Sequence, residues 1–229
     1  MKVSAIIVSA GKGIRMGSDT PKPFIKICGI PIIVLTLSVF NKCKLIDEII
    51  LVVNAGEIDN ANKIIKKYKL SKVNEIVAGG KERQNSVSNG LRIIGDDCDI
   101  IIIHDGARPF VTEEIIKSSI SEAKYSGAAV AGVPVKDTIK TVDASGEIDG
   151  TLNRTKLWAA QTPQTFKADL IKSAYKTALS RGINATDDSM MVEHIGHKVT
   201  MVTGSHENIK ITTPEDLVIA EAIMKNAKI

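Results

Sequence analysis

The sequence predicts an α/β fold: a mostly parallel sheet with helices on both faces and a β-hairpin arm projecting from it. Three observations lead there. Short aliphatic runs of strand length alternate with amphipathic stretches at helical spacing. Runs such as Glu48–Val53 and Ile100–His104 are apolar at consecutive positions, as strands buried on both faces are. The rhythm breaks over one polar stretch, Lys136–Thr162, where β-compatible residues flank a single turn.

The elements follow in order. Val3–Ser9 reads as the first strand, with a Gly-rich loop after it to about Thr20. Pro31 starts a helix whose Ile32, Leu35 and Val39 share a face. Strand Glu48–Val53, helix Ile58–Tyr68, strand Asn74–Ala78 and helix Arg83–Ile94 come next. After strand Ile100–His104, Thr112 caps a helix with Glu113 and Glu114 in its first turn, where negative charge suits the helix dipole. Strand Ala128–Val135 leads into the arm, whose turn is Asp143-Ala144-Ser145-Gly146. Helix Ala168–Arg181, strand Lys198–Thr203 and helix Thr213–Asn226 complete the series, and residues 1–229 are expected to form one domain.

Composition narrows the function classes. Hydrophobic residues are 44% and charged residues 24%, an ordinary globular balance that excludes disordered and fibrous classes. The net charge of +4 is scattered, and aromatics are only 3%, too few for base-stacking platforms, so nucleic acid is not the expected partner. Cys28, Cys43 and Cys98 lack CxxC spacing and read as free, buried thiols. No apolar run reaches the roughly 18 residues of a membrane span, and no leader pattern precedes Lys12, so a cytoplasmic protein is expected.

In a parallel sheet, ligands sit beyond the carboxyl ends of the strands, so the loops after each strand carry the functional information. The first reads Ser9-Ala10-Gly11-Lys12-Gly13-Ile14-Arg15-Met16-Gly17. Its third glycine comes one residue late for a dinucleotide fingerprint, and Pro31–Ser38 supplies no ribose-binding acid. The P-loop pattern is absent too. What remains is backbone access at glycine beside Lys12, Arg15 and Lys22, a set suited to polyphosphate. Alone, the same charges also describe a solvated basic loop.

Gly79-Gly80-Lys81-Glu82-Arg83-Gln84-Asn85-Ser86 opens a helix, whose N-terminus offers anion donors. Asp105-Gly106-Ala107-Arg108-Pro109 follows the strongest strand. Asp105 stands where a carboxylate can share Mg²⁺ with substrate phosphates, or can merely pair with Arg108 to shape the turn. Thr186 reads as the cap of a helix beginning at Asp187, and Lys210 as part of a short strand, Asn208–Thr212. His194 and His197 lack a third ligand for a metal.

Together these segments resemble the 2-C-methyl-D-erythritol 4-phosphate cytidylyltransferase family. The segments are Ala10-Gly11-x-Gly13-x-Arg15-Met16, Pro21-Lys22, Gly79-Gly80-x-Glu82-Arg83, His104–Pro109, Val133–Thr138, Arg154 before Leu157-Trp158, Gln161–Gln164, Thr186-Asp187-Asp188 and Asn208-Ile209-Lys210. Each is weak alone; in family order across residues 5 to 222 they are specific. Pro23 and Ser9 depart from the family's usual residues at their positions.

The resemblance implies a Rossmann-like nucleotidyltransferase sheet, and transfer of a cytidylyl group from CTP to a sugar-alcohol phosphate in isoprenoid precursor synthesis. It implies Mg²⁺ on the nucleotide phosphates and a homodimer whose arm, at about residues 136–162, completes the neighbouring site. By position, Ala10, Gly11, Gly13, Gly80, Ser86 and Ala107 would hold CTP. Arg15, Lys22 and Lys210 would stabilise charge at the α-phosphate. Asp105, Arg108, Thr138 and Thr186 would position the acceptor, with Arg154 reaching in from the partner. Ribitol-5-phosphate cytidylyltransferases share the loop motifs, but Leu157-Trp158, Val133–Thr138 and Thr186–Asp188 look more like the methylerythritol enzymes. A non-catalytic nucleotide-binding protein on the same fold is the rival from another class.

Overall fold

The computed structural model describes residues 1–11 and 20–226. The chain opens with β1 (Val3–Ser9). A 3-10 turn at Lys22–Phe24 precedes β2 (Lys26–Ile27) and β3 (Ile30–Pro31). Then come α1 (Ile32–Lys42), β4 (Glu48–Val53), α2 (Ile58–Tyr68), β5 (Val73–Ala78), α3 (Arg83–Leu91), β6 (Ile100–Asp105), α4 (Glu113–Ser126) and β7 (Ala128–Pro134). β8 (Lys140–Val142), β9 (Ile148–Thr151), β10 (Trp158–Lys167), α5 (Ala168–Ser180), α6 (Asp188–Glu193), β11 (Thr200–Thr203) and α7 (Pro214–Asn226) follow.

Seven strands form one sheet in the order β11-β7-β10-β6-β1-β4-β5. All run parallel except β10, which is antiparallel to both β6 and β7. The inner strands β1, β4 and β6 are largely apolar because alternate residues feed two cores. On one face Ile7, Leu51 and Ile102 pack with Leu37 and Phe40 of α1 and Ile116 of α4. On the other, Ile6, Val52 and Ile103 pack with Val87 of α3 and Ile171 of α5. Each such buried side chain contributes about 1.5–3 kcal/mol. Thr112 caps α4 by accepting the Ile115 N–H, as the sequence predicts.

The structure departs from expectation in specific places. Residues 158–167 form β10, a central strand. Its Gln161, Thr162 and Gln164 are polar yet buried, so apolar patterning hides it. The projecting part is therefore shorter than 136–162: the paired strands are β8 and β9, around a turn where Asp143 accepts the Ser145 and Glu147 N–H groups. The buried side of α1 runs through Ile33, Leu37 and Phe40, while Leu35 and Val39 are half-buried. Residues 208–212 are irregular rather than a strand. Asp187, not Thr186, caps α6: its carboxylate accepts the Met190 N–H at the N-cap position. All three cysteines are free, but Cys28 is exposed, on a left-handed turn between β2 and β3. No helix among the described residues is long and apolar enough to cross a membrane.

Candidate active site

A cleft of about 520 Å³ opens beyond the carboxyl ends of β1, β4, β5 and β6. Parallel pairing creates it. Gly106 N donates to Val8 O at 2.8 Å and Gly79 N to Val53 O at 2.7 Å, so each loop leaves its strand beside the neighbouring loop. Ala10, Gly11, Lys22, Gly80, Ser86, Asp105, Ala107 and Lys210 all line the cleft. Gly13 and Arg15 lie outside the described residues.

The α3 end of the cleft is built from local hydrogen bonds. Ser86 Oγ accepts the Gly80 N–H at 3.0 Å and donates to Glu82 O at 3.1 Å, folding the Gly-Gly turn onto the first turn of the helix. Asn85 Oδ1 accepts the Glu82 N–H at 3.1 Å. A glycine at 79 is required by close approach: a Cβ there would stand 2.2 Å from Ala10 Cβ and 2.9 Å from Ser86 Oγ.

Asp105, at the end of β6, is the electrostatic centre. Its Oδ1 lies 3.1 Å from Arg83 Nε, and its Oδ2 lies 2.7 Å from Lys210 Nζ and 4.0 Å from Arg108 Nε. Burial pushes the Asp105 carboxyl up, but Arg83, Lys210 and Arg108 outweigh it and hold it well below the usual carboxylate range. Burial lowers the Arg108 pKa, with Asp105 opposing. Lys210 reaches the carboxylate because its irregular segment is pinned to the loop after β6: Ile211 N donates to Ala107 O at 2.9 Å, and Arg108 Nη1 to Asn208 O at 2.8 Å. Asn208 Nδ2 in turn donates to Thr162 O at 2.9 Å.

Behind Asp105, His104 and Thr162 are buried and hydrogen-bonded to one another. A register shift in β10 between Ala160 and Gln164 turns Thr162 toward β6. Thr162 Oγ1 accepts the Asp105 N–H at 3.0 Å and donates to His104 Nδ1 at 3.0 Å. His104 Nε2 donates to Arg108 O at 3.1 Å, so the partners fix the neutral Nε2–H tautomer. Burial, ahead of every other cause, pushes the His104 pKa down to about 4.

Not every predicted residue gathers here. Arg108 sits behind Asp105 rather than in the cleft lining. Thr138 and Arg154 are exposed on the polar stretch around the hairpin, and Arg154 Nη1 donates to Lys136 O at 2.7 Å. Thr186 is exposed beside the start of α6. Conversely, Arg83 lines the cleft and bridges two carboxylates, a role the sequence reading did not give it. Its second partner, Asp188, stands 105 positions along the chain, a distance no local pattern spans.

The donor set sets terms for any cation. Among the described residues no group of three or more His, Cys, Asp or Glu could hold a metal ion. Two carboxylates, Glu82 and Asp105, line the cleft, and Asp105 is the one paired with cations. That suits an ion taking most of its ligands from phosphate oxygens and water.

A model of the family described as 2-C-methyl-D-erythritol 4-phosphate cytidylyltransferase matches residues 3–226. The chain belongs to that family. The 2-C-methyl-D-erythritol 4-phosphate cytidylyltransferase of Alkaliphilus oremlandii is 51% identical over 228 residues, covering 99% of this chain and 97% of that protein. The like-named protein of Syntrophus aciditrophicus is 48% identical over 98% of this chain and 96% of its own length. Among solved structures, the 4-diphosphocytidyl-2C-methyl-D-erythritol synthase of Anaerococcus prevotii superposes with a TM-score of 0.87 at 35% identity, covering 98% of this chain and 96% of that one. The cytidylyltransferase of Thermus thermophilus superposes with a TM-score of 0.81 at 30% identity, covering 98% and 100%. As a member of this cytidylyltransferase family, the chain is a nucleotidyltransferase enzyme, and its α/β sheet is the one its sequence predicts.

Proposed function

We propose that this enzyme transfers the cytidylyl group of CTP to 2-C-methyl-D-erythritol 4-phosphate, giving 4-diphosphocytidyl-2-C-methyl-D-erythritol and pyrophosphate. An oxygen of the acceptor's phosphate attacks the α-phosphorus in line. The bond from that phosphorus to the α,β-bridging oxygen breaks, and pyrophosphate leaves with the electron pair. The observation that carries this reading is the convergence of Arg83 and Lys210 on Asp105 in a cleft that Lys22 and the glycine loops also line.

Phosphoryl-type transfer needs positioning and positive charge where negative charge develops. Arg15, Lys22 and Lys210 supply the charge. Ala10, Gly11, Gly13, Gly80, Ser86 and Ala107 hold the nucleotide, with Gly80 and Ser86 toward the base. Asp105, Arg108, Thr138 and Thr186 orient the acceptor. Mg²⁺ on the triphosphate would neutralise phosphate charge, and Asp105 is the residue that would hold it.

The reading extends to assembly. Residues 1–229 act as one nucleotidyltransferase domain in a cytoplasmic homodimer. The hairpin region ahead of β10, about residues 136–157, serves as the dimerisation arm and brings Arg154 to the partner's site. Support comes from its apolar surface: Val142, Ile148 and Leu152 are 59%, 65% and 44% exposed in the single chain.

The deciding experiment measures pyrophosphate release with four nucleotides and two acceptors, methylerythritol phosphate and ribitol phosphate. CTP with methylerythritol phosphate should be fastest by at least tenfold. Faster release with ribitol phosphate, or equal release without an acceptor, would overturn the assignment.

A further inference from the structure

Arg83 is a half-buried cation to which the proposed reaction assigns no part. Its guanidinium reaches in two directions. Nε lies 3.1 Å from Asp105 Oδ1, and Nη2 lies 2.7 Å from Asp188 Oδ2. Asp188 is fully buried, and its other oxygen accepts the Tyr175 hydroxyl at 2.6 Å. Gln164 Oε1 accepts the Asp188 and Ser189 N–H groups at 3.0 and 2.9 Å, so the start of α6 is fixed against β10. A second clasp lies beside the first. Gln84 donates to Asn184 Oδ1 at 2.7 Å and accepts the Ala185 N–H at 3.3 Å. The first turn of α3, which carries the Gly80–Ser86 nucleotide end, is thereby tied to residues 184–188. Those residues include Thr186, an acceptor residue in the proposed function.

We propose that Arg83 is a positioning residue that holds Asp105 and the Thr186–Asp188 turn in one fixed geometry across the cleft, so that the acceptor end is set by a single side chain. The inference rests on the proposed reaction. Arginine suits the task because its planar fork offers separate donors to two carboxylates, whereas a lysine ammonium is a point charge that settles on one. Arg83 acts through Asp105 and the turn, not on the reacting atoms.

The test separates this role from simple support of the fold. Removing Arg83 alone would strand the buried Asp188 charge. The whole polar chain is therefore replaced together by Arg83→Met, Asp188→Leu and Tyr175→Phe, apolar groups of similar volume that a core accepts. Thermal unfolding and steady-state pyrophosphate release are measured for this variant and the parent. The expected result is an unfolding temperature at or above the parent's, with kcat down at least tenfold, KM for the acceptor raised several-fold and KM for CTP changed less than about threefold. A folded variant with parental kcat and KM values overturns the proposal, because the network would then only support the fold. So does a variant whose main change is KM for CTP. Should the triple variant fail to fold, Arg83→Lys decides: a tenfold or greater loss in kcat supports the proposal, and parental kcat overturns it. An inactive parent would remove the reaction and this inference with it, whereas an active parent with unaltered variants removes the inference alone.

Discussion

Lys210 Nζ stands 2.7 Å from Asp105 Oδ2, although 105 residues separate them in the chain. The contact keeps an ammonium over the cleft without burying an unpaired charge, since Lys210 is 40% exposed on its open side. A triphosphate entering the cleft meets a cation already in place, and such preorganised charge favours the transition state most. Lys210→Ala and Lys22→Ala are each expected to lower kcat by about 10²–10³ with the fold intact, and Arg15→Ala by at least a comparable factor. Circular dichroism with steady-state kinetics checks this. If all three change KM alone, the charge-stabilising role is wrong.

His104 makes stability pH-dependent. Its pKa lies at about 4 in the folded chain, against 6.5 unperturbed, with burial as the leading cause. Between these values the unfolded chain binds a proton that the folded chain refuses, so stability must rise with pH across that window. The linkage is worth about 3 kcal/mol from pH 6.5 down to 4, lost as pH falls. Protonation would also reverse the hydrogen bond that Thr162 donates to Nδ1. Urea unfolding at several pH values, without divalent ions, should show the slope, and His104→Gln should flatten it. Equal slopes for the two proteins would show that other groups carry the dependence.

Gly79→Ala tests how tightly the nucleotide loops are packed. The new methyl would meet Ala10 Cβ at 2.2 Å and Ser86 Oγ at 2.9 Å, so the loop after β1 must move away from α3. Because both contacts line the nucleotide end, the expected result is a KM for CTP raised at least tenfold, with a stability loss of about 1–3 kcal/mol. Titration of CTP under saturating acceptor measures the first and urea unfolding the second. An unchanged KM for CTP would place the nucleotide elsewhere in the cleft.

Much of this is legible in the residues alone. Strands β1, β4 and β6 announce themselves because both faces are buried, and position alone then places Ala10 and Asp105 at strand ends. β10 stayed hidden for the opposite reason: Gln161, Thr162 and Gln164 are buried polar residues satisfied by partners far along the chain, such as Ser205 and Asp187. Arg83 was visible as a residue and invisible as a bridge, since its meaning depends on Asp188 and Tyr175. Sequence alone puts Lys210 in a strand, yet its placement comes from irregular backbone tied to Ala107. Local periodicity reports burial; it carries no record of which polar groups meet across the fold.

Arg154 provides the sharpest test of assembly. In the single chain it is exposed, donates to Lys136 O and does not line the cleft. A trans role makes a specific arithmetic prediction. Arg154→Ala and Lys22→Ala homodimers each lack one component at both sites. In a mixed dimer, the site built on the Arg154→Ala subunit has its own Lys22 and receives Arg154 from its partner, so it is whole. The other site lacks both. Random exchange makes half the dimers mixed, so mixing the two inactive proteins should restore about a quarter of parental turnover. Exchange is verified by mass spectrometry of differently tagged subunits. Confirmed exchange without recovered turnover would place Arg154 in its own subunit's site or outside both.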